Sequence, residues 1–428
     1  MSQKYCKMND KISDPYEAFR SPGFGRFFIG GFLIHIGAAA QSVAIGWEMY
    51  IRTDSAFALG LVGLVQALPM LLLTLPAGYL ADVYDRRKLM IIGFIGTSLT
   101  SLALATFSIM QGSIPVMYLL LFMDAAFHRL AGPASASIVP LLVPPRALEN
   151  AIKWRSSLFH LSMVIGPAIG GIIVAFSVPA AYFFSAGTTI AFVLLLLGMR
   201  VPEGRRSSAG NIVRQLREGM AFVWNQKVIL GVVSLDMFAV LLGGAVYLLP
   251  IFARDILTER PFGMRPEQAL GWLRAAPALG ALLMALVMAH CPPIKRAGRS
   301  MLLAVAAFGA ATIVFGFSRS FWLSFVMLFL TGLFDNISVV VRHTLVQLRT
   351  PNELRGRVSA VNSMFIGSSN ELGGFESGLV ARFFGPVVSV VSGGVGSILV
   401  VLMWAKLFPG LRKFGRLSVD ACEDDERP

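Results

Sequence analysis

Charge is scarce in this chain. Only 14% of its 428 residues are Asp, Glu, Lys or Arg, against about 25% in an ordinary soluble domain, which excludes a conventional water-soluble globule. Cysteine is nearly missing too. Cys6, Cys291 and Cys422 are too few and too scattered for a disulfide framework or a metal site. The sequence has no G-x-x-x-x-G-K-[ST] and no Gly-Lys pair, so P-loop use of ATP is excluded. H-E-x-x-H is absent and no cysteine has a reactive setting, so neither enzymatic chemistry nor a cofactor is expected. The first 25 or so residues are polar and end in FRSPGFGRFF, without a short apolar core and small-residue cleavage site. No removable signal peptide is expected, and the first span itself should direct insertion.

What is present is apolar. Hydrophobic residues make up 55% of the chain, and crossing the hydrocarbon takes about 20 of them in a row. Twelve such runs occur, near 27–50, 58–80, 89–110, 116–142, 158–178, 181–199, 228–252, 269–290, 300–317, 321–348, 358–383 and 386–408. Lipid offers the backbone no hydrogen bonds, so each run must be a helix or part of a closed barrel; without period-2 alternation, helix is selected. The expected fold class is an all-α integral membrane protein, with twelve transmembrane helices in two pseudo-symmetric six-helix bundles.

The net charge of +13 would point to nucleic acid in a soluble protein, but here the basic residues cluster in short loops between apolar runs. Alternate connections, counting both termini, hold 27 Lys and Arg, and the intervening ones, with Arg382 at the end of the eleventh run, hold 6. The rich set is expected to be cytoplasmic, with both termini and all three cysteines on that side. The lipid bilayer is the expected partner, and no nucleic acid is.

The longest basic connection, 200–227, separates an N-terminal bundle (1–199) from a C-terminal bundle (228–408), which a cytoplasmic tail (409–428) follows. Within the connection, NIVRQLREGMAFVW places Ile212, Val213, Leu216, Met220, Val223 and Trp224 on one helical face. That pattern fits either a helix lying on the leaflet or a linker helix packed on the bundle. The halves also echo each other. Pro145 begins PRALENA and Pro351 begins PNELRGR, each just after the fourth span of its half, and Lys295, Arg296 and Arg299 repeat the basic loop between second and third spans. The echo argues for a duplicated six-helix unit of the kind that places a substrate site between halves.

One charged box stands out: GYLADVYDRRKLM, with Gly78, Asp82, Asp85, Arg86, Arg87 and Lys88 between the second and third spans. It resembles the signature loop of the major facilitator superfamily. QSVAIGW, GLVGLVQALPMLLLTLPAG, FARDIL, VRHTLVQLRTPNELRGRVSAVNSMFIGSSNELGGFESG and LFPGLR narrow the resemblance to the enterobactin-exporter-like branch of bacterial drug and siderophore efflux proteins. The resemblance implies that the box is an inner gate, its Asp meeting a helix N-terminus of the other half. Val83 and Asp85 depart from the usual pattern at two places. Read without the resemblance, Arg86, Arg87 and Lys88 are orientation charges. In the fifth span, Gly166, Pro167, Gly170 and Gly171 resemble an antiporter motif, with Ser162 in place of a Gly; tight helix packing is the other reading.

Charges inside the bilayer cost at least about 2.5–3.5 kcal/mol and so mark candidate sites. The candidates for proton coupling or the substrate path are Glu371, Glu376, Asp335, Asp124, Arg129 and Arg342, with His128 and Asp236 nearby in their spans. Glu371, near the centre of its span, is the first choice for coupling, since an apolar setting disfavours the charged form. Asp335 and Arg342, seven apart on one helical face, are expected to pair. His35 and His160 read as packing residues.

The expected function is export of a small amphipathic or hydrophobic compound, siderophore- or drug-like, by proton antiport across the bacterial inner membrane. Its partners are then a small-molecule substrate and protons. The direction comes from the resemblance, and an importer, a lysolipid flippase or a non-transporting receptor remain the alternatives. The topology carries a direct test. Cys291 should resist a membrane-impermeant thiol reagent in intact cells and react after permeabilisation; reaction from outside overturns the orientation.

Overall fold

A computed structural model describes residues 14–199, 212–291, 294, 296–351, 354–413 and 415. Cys6 and Cys422 lie outside them, as do Lys295 and most of the 200–227 connection's first half. The chain is helical, in the order α1 (Pro22–Thr53), α2 (Ala56–Val83), α3 (Arg86–Ile109), α4 (Ile114–Leu142), α5 (Leu148–Phe176), α6 (Val178–Leu197), α7 (Ile212–Asn225), α8 (Lys227–Leu242), α9 (Leu249–Ile251), α10 (Pro266–His290), α11 (Ala297–Phe317), α12 (Phe321–Arg349), α13 (Arg355–Phe384), α14 (Pro386–Leu407) and α15 (Pro409–Lys413). Pro near the start of α1, α4, α6, α10 and α14 begins these helices where a missing N–H costs nothing.

Among the described residues, eleven helices are long and apolar enough to cross a membrane, the seventh running from Lys227 to Ile256. The twelfth expected span is α13, which has the length but carries too many polar residues to qualify by hydropathy. Packing shows the duplication. In the first half α1 packs on α5 and α6, α3 on α4 and α6, and α2 on α4; in the second half α8 packs on α13 and α14, α11 on α12 and α14, and α10 on α12. Each pair in one half has its counterpart in the other. The halves meet where α2 runs along α13 and α5 along α10.

The face carrying the basic loops and both described ends is termed the basic face, and its opposite the far face. Buried apolar residues form three cores. One, at the far face, draws on both halves, with Met49 and Leu59 beside Leu248, Leu270 and Ala381. The other two lie toward the basic face and each stays within its own half, around Phe24, Met90 and Phe192 in the first and Ile229, Met301 and Val358 in the second. The halves are sealed at the far face and separate toward the basic face.

That seal rests on backbone contact. A Cβ on Gly378 would lie 2.5 Å from the Gly60 Cα, and one on Gly171 would lie 2.8 Å from the Gly271 Cα, both closer than atoms can pack. Gly378→Leu should therefore wedge α13 from α2. Spin labels on the exposed far-face loops, at Gln111 and Phe262, are expected to move apart by several ångströms; an unchanged distance means the contact does not hold the halves.

Candidate functional site

Below the seal, the seventh span breaks. α8 stops at Leu242, Gly243 and Gly244 follow, and a 3-10 turn, Ala245–Leu248, precedes α9 and a π turn through Ile256. Gly244 lies so close to α13 that a Cβ there would sit 2.4 Å from the Gly373 carbonyl oxygen. Such a break is tolerated in a membrane only where protein or a cavity takes up the freed backbone groups. It turns Tyr247 toward α13, where its hydroxyl donates a hydrogen bond to Glu371 Oε2.

Glu371 lies about 24 Å along α13, taking 1.5 Å per residue from Arg355. It lines a cavity of about 170 Å³ whose other walls come from the first half, including Gln41, Gln66, Asp124, His128 and Arg129. Arg129 and Arg274 both act electrostatically on Glu371. Arg274, from α10, reaches across the halves and donates to the Ser42 backbone oxygen at 2.9 Å and the Ser42 hydroxyl at 2.7 Å. Asp124 is held inside the first half. Thr100 Oγ1 donates to Asp124 Oδ1 at 2.8 Å, Gln41 Nε2 to its Oδ2 at 3.3 Å, and Ser101 Oγ to Gln41 Oε1 at 2.7 Å.

Of the six path candidates, Asp124, Arg129 and Glu371 share this cavity. Glu376, Asp335 and Arg342 do not line it. The pairing expected of Asp335 with Arg342 is absent, because Arg342 forms its ion pair with Asp236 of α8, both side chains buried. Seven residues separate Asp335 from Arg342 by about 10 Å along the axis, while α8 brings Asp236 directly opposite. Among the described residues, Glu376 accepts one bond, of 3.4 Å, from its neighbour Ser377.

The box bonds within its own half. Asp85 caps α3, accepting from the amides of Arg87 at 2.8 Å and Lys88 at 3.2 Å. Arg87 donates to the carbonyls of Leu196 and Leu197, closing the end of α6, and Arg86 to Ser137 of α4 at 3.4 Å. Asp82 is exposed and forms no hydrogen bond or ion pair among the described residues. The fifth-span motif faces two ways. Gly166 and Gly170 bring α5 onto α1, and Pro167 and Gly171 bring it onto α10 at the seal.

Polar links between the halves concentrate at the far face. Arg254 pairs with Asp54 at 2.9 Å and stacks 5.3 Å from the Tyr50 ring centre, Tyr50 donates to Asp255, and Arg265 donates to the Ala175 carbonyl at 2.7 Å. With the far face latched and a polar cavity beneath it, the arrangement is that of a two-half carrier. The chain matches the family described as transmembrane secretion effector, a branch of the major facilitator superfamily, over residues 13–421. It belongs to that family.

Family relatives include the enterobactin exporter EntS of Citrobacter koseri and that of Escherichia coli O127:H6, each 26% identical over 401 residues, 92% of this chain and 93% of the relative. The fold is shared with the nucleoside transporter NupG (TM-score 0.72, 13% identity, 90% of this chain and 99% of that one). It is also shared with a bacterial homologue of the lysosomal transporter Spinster in an inward-facing, occupied conformation (TM-score 0.70, 14% identity, 94% and 99%). The chain is thus an integral membrane transporter of the major facilitator type.

Sequence reasoning missed Tyr247 and Arg274 as site residues. The Gly243-Gly244 pair was the available signal for the first, since it interrupts an otherwise continuous run. His35, expected as a packing residue, meets the Phe159 ring edge-on at 5.2 Å and also lines a second cavity beside Phe27 and Arg155. The buried ion pair of Asp236 with Arg342 is expected to stabilise the second half. Asp236→Ala should lower stability by about 3–5 kcal/mol by stranding a buried cation, seen as early melting of the purified protein. Asp236→Leu with Arg342→Met should recover most of it. Wild-type melting of Asp236→Ala rules this role out.

Proposed function

We propose that this transporter exports a small amphipathic or hydrophobic compound, siderophore- or drug-like, in exchange for protons, from the cytoplasm across a bacterial inner membrane. The basic face is then cytoplasmic, by the excess of Lys and Arg in its loops, and the described conformation is open inward. The family's description as a secretion effector and the exporter relatives support the direction. No enzymatic step is invoked.

The observation that carries the coupling is the position of Glu371. It is bonded to Tyr247 in its own half and faces Arg129 of the other half across the cavity. Ionised, it attracts Arg129 and so acts on the relation between the halves. Protonated, it keeps the bond from Tyr247 and loses the charge attraction. A proton taken up here changes the energy of one arrangement of the halves relative to the other, as coupling requires. Proton influx down 100 mV releases about 2.3 kcal/mol, or about 1.6 decades of substrate gradient.

On this reading Asp82 is the gate. It has no partner among the described residues while the basic face is open, and it meets a helix N-terminus of the second half when that face closes. The 200–227 connection and α7 then link the two bundles. α7 is docked rather than floating: Val223 is buried against the second half and Glu218 pairs with Arg357 at 2.5 Å, while Trp224 is 70% exposed.

A screen of a deletion strain for hypersensitivity supplies a transported compound, and everted vesicles then test coupling. Glu371→Gln is expected to abolish its pH-gradient-driven accumulation and to leave binding and passive exchange, while Glu376→Gln does less. Intact pH-driven accumulation in Glu371→Gln removes this residue as the coupler.

A further inference from the structure

A second cavity, of about 130 Å³, lies in the first half on the basic-face side of the central one. A single water needs only about 10–15 Å³, so the space is large enough for a ring. The two cavities adjoin, since Ile34 and His128 line both. The walls of the second are aromatic: Phe27, Phe94 and Phe192 are buried, with Phe94 and Phe192 centred 5.1 Å apart and Phe27 and Phe192 5.9 Å apart. No carboxylate lines it among the described residues.

Arg155 of α5 stands among these rings. Its guanidinium lies 5.9 Å from the centre of the Phe27 ring, and one nitrogen donates a long 3.3 Å bond to the Ser135 carbonyl. No carboxylate comes within ion-pair distance of it among the described residues, in contrast to Arg52, Arg254, Arg342 and Arg357, each paired with Asp or Glu. An arginine offers five donors in a planar fork that fits a carboxylate in bidentate fashion. His35 and His128 line the same space and each carries a ring nitrogen able to donate.

We infer that this cavity is a loading subsite for an anionic aromatic group of the transported compound, with Arg155 as its counter-ion and the phenylalanines as its walls. The inference rests on the exporter reading for the direction of travel and adds to it a substrate class. A flat ring fills the aromatic walls, a carboxylate or phenolate at its edge meets Arg155, and a cationic amphiphile is repelled there. From this cavity the compound passes His128 to the central one.

The test is calorimetric titration of the purified full chain in lipid nanodiscs with 1-naphthoate, 1-naphthylmethanol and 1-naphthylmethylammonium, which differ in charge on a common ring. Naphthoate should bind at least about tenfold tighter than the other two, a charge-assisted bond's share. Arg155→Gln should erase that preference and Arg155→Lys should keep part of it; an orientation charge would have no influence in purified protein. Gly132 lines the cavity, and a Cβ there meets nothing within 4 Å. Gly132→Leu therefore fills the space without a forced clash and should weaken naphthoate by a similar factor. Equal affinity for the three probes, no measurable naphthoate binding, or naphthoate binding untouched by both Arg155→Gln and Gly132→Leu overturns the subsite. Proton-driven transport without an anion preference sinks the subsite alone; anion binding without proton-driven transport sinks the exporter reading and leaves the subsite.

Discussion

Close backbone contacts between the halves govern the rest of this structure. Gly60 against Gly378 and Gly171 against Gly271 let α2 meet α13 and α5 meet α10 with no side chain between them. In lipid, helices gain nothing from burying apolar surface, so close packing of small residues is what holds one helix to another. The contacts sit at the far face, and the shared apolar core lies around them. Helices held together at one end diverge toward the other, and the central cavity, walled by both halves, lies beneath the contacts. The polar latch of Arg254, Asp54 and Tyr50 caps this seal where water can reach it, and bonds of that exposed kind are weak enough to break.

The charged groups separate by whether their partners lie in the same half. Asp236 with Arg342 is closed within the second half and buried on both sides, so rocking of the halves leaves it unchanged. Glu48 is similarly fixed in the first half, accepting from Tyr182 at 2.9 Å and pairing with Arg52 at 3.3 Å. Glu371 and Arg129 belong to different halves and share a cavity. Only a cross-half relation changes when the halves move, which is why Glu371, and not the better-paired carboxylates, is the residue on which coupling is proposed to rest.

The sequence made the spans legible because lipid imposes one strong rule, a run of apolar residues long enough to cross, and eleven helices among the described residues obey it. The run 358–383 counts among the twelve and forms α13, although Asn362, Ser369, Glu371 and Glu376 stipple that helix and make it less apolar than the rest. Partners were harder to see. Helical periodicity states which residues share a face and says nothing of the neighbouring helix, so it matches Asp335 to Arg342, whereas α8 supplies Asp236. The broken seventh span shows the same limit: Gly243-Gly244 was visible, but that the break delivers Tyr247 to Glu371 depends on how closely Gly244 meets α13. Single residues also carry more than one task. Asp85 departs from the family's usual pattern and is a helix cap, and Arg155 counts among the orientation charges while it faces a cavity.

The duplicated packing bears on the opposite arrangement of the halves. Gly60 and Gly78 are 18 residues apart on α2, which is five turns at 3.6 residues each, so bends at Pro69 and Pro76 aside they lie on one face. Gly60 has the backbone of α13 against it, and Gly78 has nothing within 4 Å. The face of α2 that is sealed at one end is therefore unfilled at the other. Rocking α2 about its middle would trade the first contact for one at Gly78, four residues from Asp82. A side chain at Gly78 would stand in that path, which gives the glycine of the charged box a physical reason that an orientation signal does not supply.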